Sequence, residues 1–297
     1  DFIFPPISTA HLYAAAPIAN KHGYILSGME GGARHLKEYM EELPYFFSNL
    51  NFCDHQIPVL VDILAEKGVE TVAMVYISDL HGVEYSEIST KLLEERGIEI
   101  VMTKSISPGA KDLSSVIKDA KAQNVDAFLS FTYPNESILV TKQSIELGFN
   151  PDVFVVDVGA NFEFYKNMFG AEAVEGIINF GCWNTKVSSK AKEFYDNFVE
   201  RYGREKVDWW GQLTYYGALE FFEKAIVKAG TLDQEVIRDV MATEKFETSM
   251  GTTWYEDGCL AEECYTGQVG QWQNGISEVI GPKEKATAEV IYPKPKW

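Results

Sequence analysis

Between Thr71 and Trp183, short apolar runs alternate with segments of helical spacing, and this alternation limits the possible folds more than any other feature. Thr71–Ile77 (TVAMVYI), Ile98–Ser105, Asp126–Tyr133 (DAFLSFTY), Val153–Val158 and Gly176–Trp183 read as strands, rich in β-branched and aromatic residues. Val83–Arg96, Leu113–Gln123, Asn135–Leu147 and Phe162–Phe169 read as helices, the first stopped by Gly97 and the third by Gly148. Strands this uniformly apolar, each followed by a helix, predict a parallel sheet covered on both faces. Asp1–Gly28 shows the same pattern as strand, polar turn, helix and strand, with Ser8 and Thr9 in the turn.

After Asn184 the pattern changes. Ser188–Tyr202, Trp209–Ala229 and Asp233–Thr243 read as three helices, and the span Asn184–Ser249 reads as strand-free. Such helices need a sheet to cover, and the opening region has one with too few helices. At 297 residues the chain is also too long for one typical core. The pattern therefore predicts an α/β protein of two lobes whose parts are separated in sequence. Asn274-Gly275 marks a hairpin further on, and the tail ATAEVIYPKPKW reads as extended surface chain.

Charge and motifs exclude several functions. A formal net charge of −18 leaves no basic face for nucleic acid and favours a monomer. No apolar run approaches the ~18 residues of a spanning helix. The four cysteines form no C-x-x-C pair and no histidine clusters with them, which argues against zinc. Cys259 and Cys264 are spaced either for a hairpin-type disulfide or as two thiols. There is no G-x-S-x-G elbow, no H-E-x-x-H, no phosphate-binding Walker loop and no G-x-G-x-x-G after a strand. The chain reads as a non-enzyme with no cofactor and no metal.

In open parallel sheets, ligands bind outside the carboxyl ends of the strands. The polar residues at those positions are Ser8 and Thr9, then Ser27, Met29, Glu30 and Gly31, then Asp79 and His81, then Thr132 and Tyr133, and finally Asp157. Each has a bland reading. Ser and Thr before a helix are caps, glycines are turn residues, and Asp157 is placed to cap the next helix. The case for a site rests on all these loops falling on the same sheet edges.

The stretches AAAPIANKHGYILSG, VAMVYISDLHGVEYSE, VDAFLSFTYPNESILVTKQ, AVEGIINF and TYYGALEFFEKAIVKAG resemble the type 1 periplasmic binding proteins. The closing ATAEVIYPKPKW points to the branched-chain amino acid and amide receptors of ABC importers. The resemblance runs in order along the chain. It implies two Rossmann-like lobes joined by three crossings near Phe47, Cys182 and Gly251. Lobe 1 would be residues 1–48 and 184–249, and lobe 2 residues 49–183 and 250–297. Family members open with further βα units before the strand matching DFIFPP, so lobe 1 is expected to be incomplete here. The ending PKPKW is expected to be a complete C-terminus.

The resemblance also implies a role and a site. The role is an extracytoplasmic solute receptor, periplasmic or extracellular, free or lipid-anchored behind a signal peptide, which closes around its ligand and delivers it to a membrane permease. The same fold also serves as the ligand-sensing domain of signalling receptors and of ligand-responsive regulators, the alternative reading. The family's carboxylate-binding hydroxyl falls on Thr9, with Ser8 beside it, and its backbone-rich loop falls on Ser27–Gly31. An aromatic contact before a glycine falls on His81, and a strand-end tyrosine on Tyr133. The acid that holds a ligand's amino group falls on Val158, with Asp157 adjacent. That departure leaves two ligand classes open, an amino acid or a carboxylate without an amino group.

Overall fold

The computed structural model describes residues 2–3, 5–6, 8–28, 37–38 and 42–297. Helix α1 (Thr9–Lys21) leads to the short strands β1 (Leu26–Gly28) and β2 (Phe46–Ser48). Helix α2 (Cys53–Glu66) precedes the alternating region. This runs β3 (Thr71–Ile77), α3 (Leu80–Glu95), β4 (Glu99–Ile106), α4 (Ser114–Ala122), β5 (Ala127–Phe131), α5 (Pro134–Glu146) and β6 (Val153–Val156). Two short helices, α6 (Glu163–Phe169) and α7 (Ala171–Val174), lead to β7 (Ile178–Asn179). Three helices follow, α8 (Ser189–Tyr202), α9 (Gln212–Ala229) and α10 (Gln234–Thr243). The remaining strands are β8 (Phe246–Thr248), β9 (Gly251–Thr253), β10 (Tyr255–Glu256), β11 (Cys259–Leu260), β12 (Val269–Gln273) and β13 (Ile276–Gly281).

The chain divides into two compact units. The first is Asp1–Cys53, Thr185–Asn197 and Gly211–Thr266; the second is Asp54–Asn184, Phe198–Trp210 and Gly267–Trp297.

The second unit holds a seven-stranded sheet in the order β13-β12-β7-β6-β5-β3-β4. The strands from β4 to β7 are parallel, and β12 runs antiparallel to both of its neighbours. The apolar runs form buried strands because both faces are covered: Val72, Met74, Phe128, Leu129, Phe154 and Val155 are all fully buried. Each such side chain contributes roughly 1.5–3 kcal/mol of transfer free energy. Asn274 and Gly275 both have positive φ and turn β12 into β13, as the sequence predicts.

The tail after β13 is bound by several side chains of the same unit. Gln271 donates to the Ile291 carbonyl and Gln273 to that of Glu289. The Lys294 N–H donates to Asp152 O at 2.7 Å, and its Nζ to Asn150 Oδ1 at 2.7 Å. Trp297 Nε1 donates to Phe149 O at 2.8 Å. The expectation of a surface-lying tail therefore needs amending, because Lys294 is only 4 % exposed.

The first unit has a small sheet in the order β1-β2-β11-β10, with β1, β2 and β11 parallel. Its core joins Leu12, Ala16 and Ala19 of α1 to Leu26, Leu43, Phe46 and Phe52.

Three details differ from the sequence reading. The span 184–249 is not free of strands, since β8 pairs with β9. Residues 250–266 cluster with the first unit because β11 pairs with β2, and the Tyr255 ring packs edge-on against Phe47 at 5.1 Å. Residues 198–210 cluster with the second unit, where Trp209 N donates to Asn161 O and Glu163 N to Val207 O. Strands of two or three residues are too short to leave a period in the sequence. Cys259 and Cys264 are thiols, and the Cys264 thiol lies 3.6 Å from the Thr252 carbonyl oxygen.

Candidate functional site

In the second unit, β3, β5 and β6 lie side by side and parallel, so the loops after them share one edge of the sheet. These loops carry His81, Tyr133 and Asp157. The loop after β3 starts helix α3 tightly. Asp79 is its N-cap, and Oδ1 accepts from Gly82 N at 3.0 Å. A Cβ at Gly82 would sit 2.0 Å from the Ile77 carbonyl oxygen, so only glycine allows this approach. The turn sets His81 one residue earlier, on the first turn of α3.

His81 Nε2 lies 2.6 Å from Asp157 Oδ2, and the two residues are 4 % and 0 % exposed. The Tyr133 ring stacks on His81 with centroids 5.2 Å apart and planes 22° apart. Tyr85, one helical turn after His81, packs against the same imidazole at 4.4 Å. Tyr85 also donates its hydroxyl to the buried Gln56 Oε1. The loops after β5 and β6 are tied together beneath these rings, because Ser137 Oγ donates to the Val158 carbonyl at 2.8 Å. Gly159, at φ 99°, closes the join: a Cβ there would fall 2.8 Å from Pro134 Cα.

Electrostatics at this edge favour holding a proton. Burial alone would lower the pKa of His81. The charge and hydrogen bond of Asp157, with Asp79 and Glu84 nearby, outweigh it and raise the value above 6.5. Burial, and then the Asp79 charge, push the Asp157 carboxyl up against the opposing pull of His81. The pair thus keeps its proton more firmly than either group does in water. Burial, followed by the Asp79 carboxylate that accepts from the phenol, raises Tyr133. Asp157 Oδ1 is buried with no hydrogen-bond partner among the described residues.

The other sequence-derived candidates lie in the first unit or outside the described residues. Ser8 precedes α1 with φ 90°, strained for a residue with a side chain, and makes no side-chain cap bond. Its Oγ lies 3.0 Å from His11 Nδ1. Thr9 is the first helical residue and is buried. Ser27 accepts from Asn49 Nδ2 at 2.8 Å, and Asn49 Oδ1 accepts from the Tyr255 hydroxyl, so Ser27 belongs to a buried structural network. Met29, Glu30 and Gly31 lie outside the described residues. Sequence reasoning missed Tyr85, Gln56 and Glu84. The spacing of Tyr85 four residues after His81 was the available signal.

A family model described as periplasmic binding protein matches residues 1–275. The chain belongs to that family. It is 23% identical over 232 residues to Leu/Ile/Val-binding protein homolog 7 of Brucella abortus, an alignment covering 75% of this chain and 58% of the relative. The chain thus spans less than two thirds of that curated relative. Homolog 8 from the same organism is 20% identical, over 98% of this chain and 76% of its own length. Among solved structures, a leucine-binding protein from Thermotoga maritima aligns with TM-score 0.78 and 22% identity, covering 94% of this chain and 79% of the other. A branched-chain amino acid transporter substrate-binding protein from Streptococcus pneumoniae, in complex with isoleucine, aligns with TM-score 0.80 and 21% identity, covering 98% and 79%. These likenesses show the α/β fold expected from the sequence. Among the described residues, no helix is long and apolar enough to cross a membrane.

Proposed function

We propose that this protein is the solute-binding receptor of an ABC importer. It takes up a small carboxylate-bearing solute, an amino acid or an organic acid, and presents it to a membrane permease. The observation that carries the reading is the His81–Tyr133–Asp157 group at the carboxyl ends of three parallel strands, in a chain of the periplasmic binding protein family. Relatives named for leucine, isoleucine and valine, and a structural neighbour holding isoleucine, support the solute class.

In this reading Tyr133 offers a half-buried aromatic face to the ligand, and His81 an oriented ring nitrogen. Ser8 and Thr9 are the first unit's candidates for holding a carboxylate. Ligand binding selects one conformation of the protein, which the permease recognises. Isothermal titration of the protein with leucine, isoleucine, valine and benzoate tests this. Micromolar or tighter binding of at least one is expected. Heat signals indistinguishable from buffer for the whole set would reject the receptor reading.

A further inference from the structure

The hairpin that joins β12 to β13 turns on Asn274 and Gly275, with Gln273 and Ile276 paired at its neck. Both turn residues have positive φ, 51° and 74°, as a two-residue loop of this kind requires. Asn274 is exposed, and it is the only asparagine of the chain that is followed by glycine. The hydrogen bonds at the turn engage other atoms. The Asn274 N–H donates to Glu175 Oε2 at 2.8 Å, and the Gly275 carbonyl accepts from the Arg204 guanidinium at 3.4 Å. Among the described residues, none holds the Asn274 side-chain amide or the Gly275 N–H.

These two unengaged groups are the partners of an internal displacement. Hydroxide takes the Gly275 N–H proton, and the nitrogen attacks Asn274 Cγ. The new C–N bond closes a five-membered imide, the Cγ–Nδ2 bond breaks, and Nδ2 leaves as ammonia with a proton from solvent. Water then opens the imide at one of its two carbonyls. Opening at Cγ gives aspartate; opening at the main-chain carbonyl gives isoaspartate. The balance is one water consumed and one ammonia released. Ring closure requires Asn274 to swing out of the left-handed region. Glycine leaves room for that movement, since the nearest atom to the place of a Cβ at Gly275 is 3.7 Å away.

We infer that Asn274 is a site of spontaneous deamidation, with water as the co-reactant, and that the isoaspartate product loosens the β12–β13 hairpin. Both products place a carboxylate beside Glu175, which holds the N–H of the same residue. Isoaspartate also threads the main chain through the old side chain and so adds a methylene to the loop. A two-residue loop fixes the register of the strands it joins, and a longer one does not. Those strands carry Trp272 and Val279, both fully buried, so the change is felt in the core of the second unit. The inference is independent of which solute the protein binds.

Peptide mass spectrometry tests it, after the full chain has been incubated at physiological temperature and mildly alkaline pH. The peptide holding Asn274 is expected to gain about one mass unit and to resolve into aspartate and isoaspartate forms. Asn124 is the internal control. It too is exposed and left-handed, at φ 50°, but Val125 follows it. Asn274 is expected to convert at least about tenfold faster, because a β-branched neighbour hinders what glycine permits. The ratio is read on the wild-type chain, so no variant has to fold. The isoaspartate form, separated by ion exchange, is expected to melt about 2–4 °C below the fresh protein. Asn274→Gln, whose longer side chain does not close the five-membered ring, is expected to keep its melting temperature through the incubation. An Asn274 peptide that stays unchanged, or converts no faster than that of Asn124, would overturn the inference. An isoaspartate form that melts with the fresh protein would overturn the loosening of the hairpin.

Discussion

His81 Nε2 and Asp157 Oδ2 meet at 2.6 Å across 76 positions of sequence. The bond joins the loop after β3 to the loop after β6, with β5 lying between those strands. Removing one partner of a buried charged pair typically costs about 3–5 kcal/mol. Asp157→Leu is therefore expected to lower the urea-unfolding free energy by that order. Asp157→Asn, which keeps an acceptor oxygen but not the charge, is expected to cost about 1–3 kcal/mol. Equal stability of all three proteins would show that the pair does not form.

The pair also sets a pH dependence. The pKa of His81 is raised above its unfolded value of 6.5 by Asp157, against the effect of burial. The folded state therefore binds the proton more tightly than the unfolded state. The stabilisation is fully present below about pH 6.5 and is lost as pH rises through the folded-state value. Urea midpoints of the wild type are expected to fall across that rise, and those of Asp157→Asn to fall less. A wild-type midpoint that climbs over the same range would contradict the assignment.

Tyr85 holds His81 from beneath and is itself held by Gln56. Tyr85→Phe keeps the ring and strands the buried Gln56 Oε1. The expected loss is about 1–3 kcal/mol in unfolding free energy, with little change in the far-ultraviolet circular dichroism. A variant as stable as the wild type would mean that the hydroxyl and amide are not partnered.

Gly82 makes the turn that places His81. Its missing Cβ would sit 2.0 Å from Ile77 O, and both ends of that contact are backbone. Gly82→Ala is expected to destabilise by about 1–3 kcal/mol or more, since backbone atoms must shift. It should also weaken ligand binding, because His81 moves with the turn. A Tm within a degree of the wild type would refute the close approach.

Lys294 supplies an alkaline signature. Desolvation lowers its pKa from 10.5 to about 8. The unfolded chain therefore binds more protons than the folded one between those values, and stability rises with pH through that window. Lys294→Met, which keeps the apolar stem, is expected to flatten this rise, which is on the order of 2 kcal/mol. Matching denaturation profiles for the two proteins between pH 8 and 10.5 would reject the shift.

The alternating sheet was legible because its strands are buried on both faces and read as unbroken apolar runs. Val153–Val156 and Ala127–Phe131 are examples. The loops bearing His81, Tyr133 and Asp157 followed from those strands, since their carboxyl ends define one edge. Two kinds of feature escaped. Strands such as Cys259–Leu260 hold too few residues to show a period, so the place of residues 250–266 emerged only from pairing. The direction of Asp157 was also hidden. Whether a carboxylate after a strand caps a helix or turns to a histidine 76 positions away depends on packing that no local pattern records. Tyr85 and Gln56 were overlooked because each is unremarkable alone and gains meaning only through its partner.

The tail that reaches back to Phe149, Asn150 and Asp152 has a consequence for synthesis. Trp297 is bonded to a residue 148 positions earlier, and Lys294 to one 144 earlier. A chain emerging N-terminus first can build the central β3–β7 ladder early. It cannot cover Phe154, against which the Trp297 ring packs at 5.4 Å, until the tail has left the ribosome. Closing loops of that span slows the last stage of folding. The second unit thus passes through a period in which Phe154 and the backbone of residues 149–152 lack the tail that covers them. Then it is most exposed to misassociation and most dependent on chaperones.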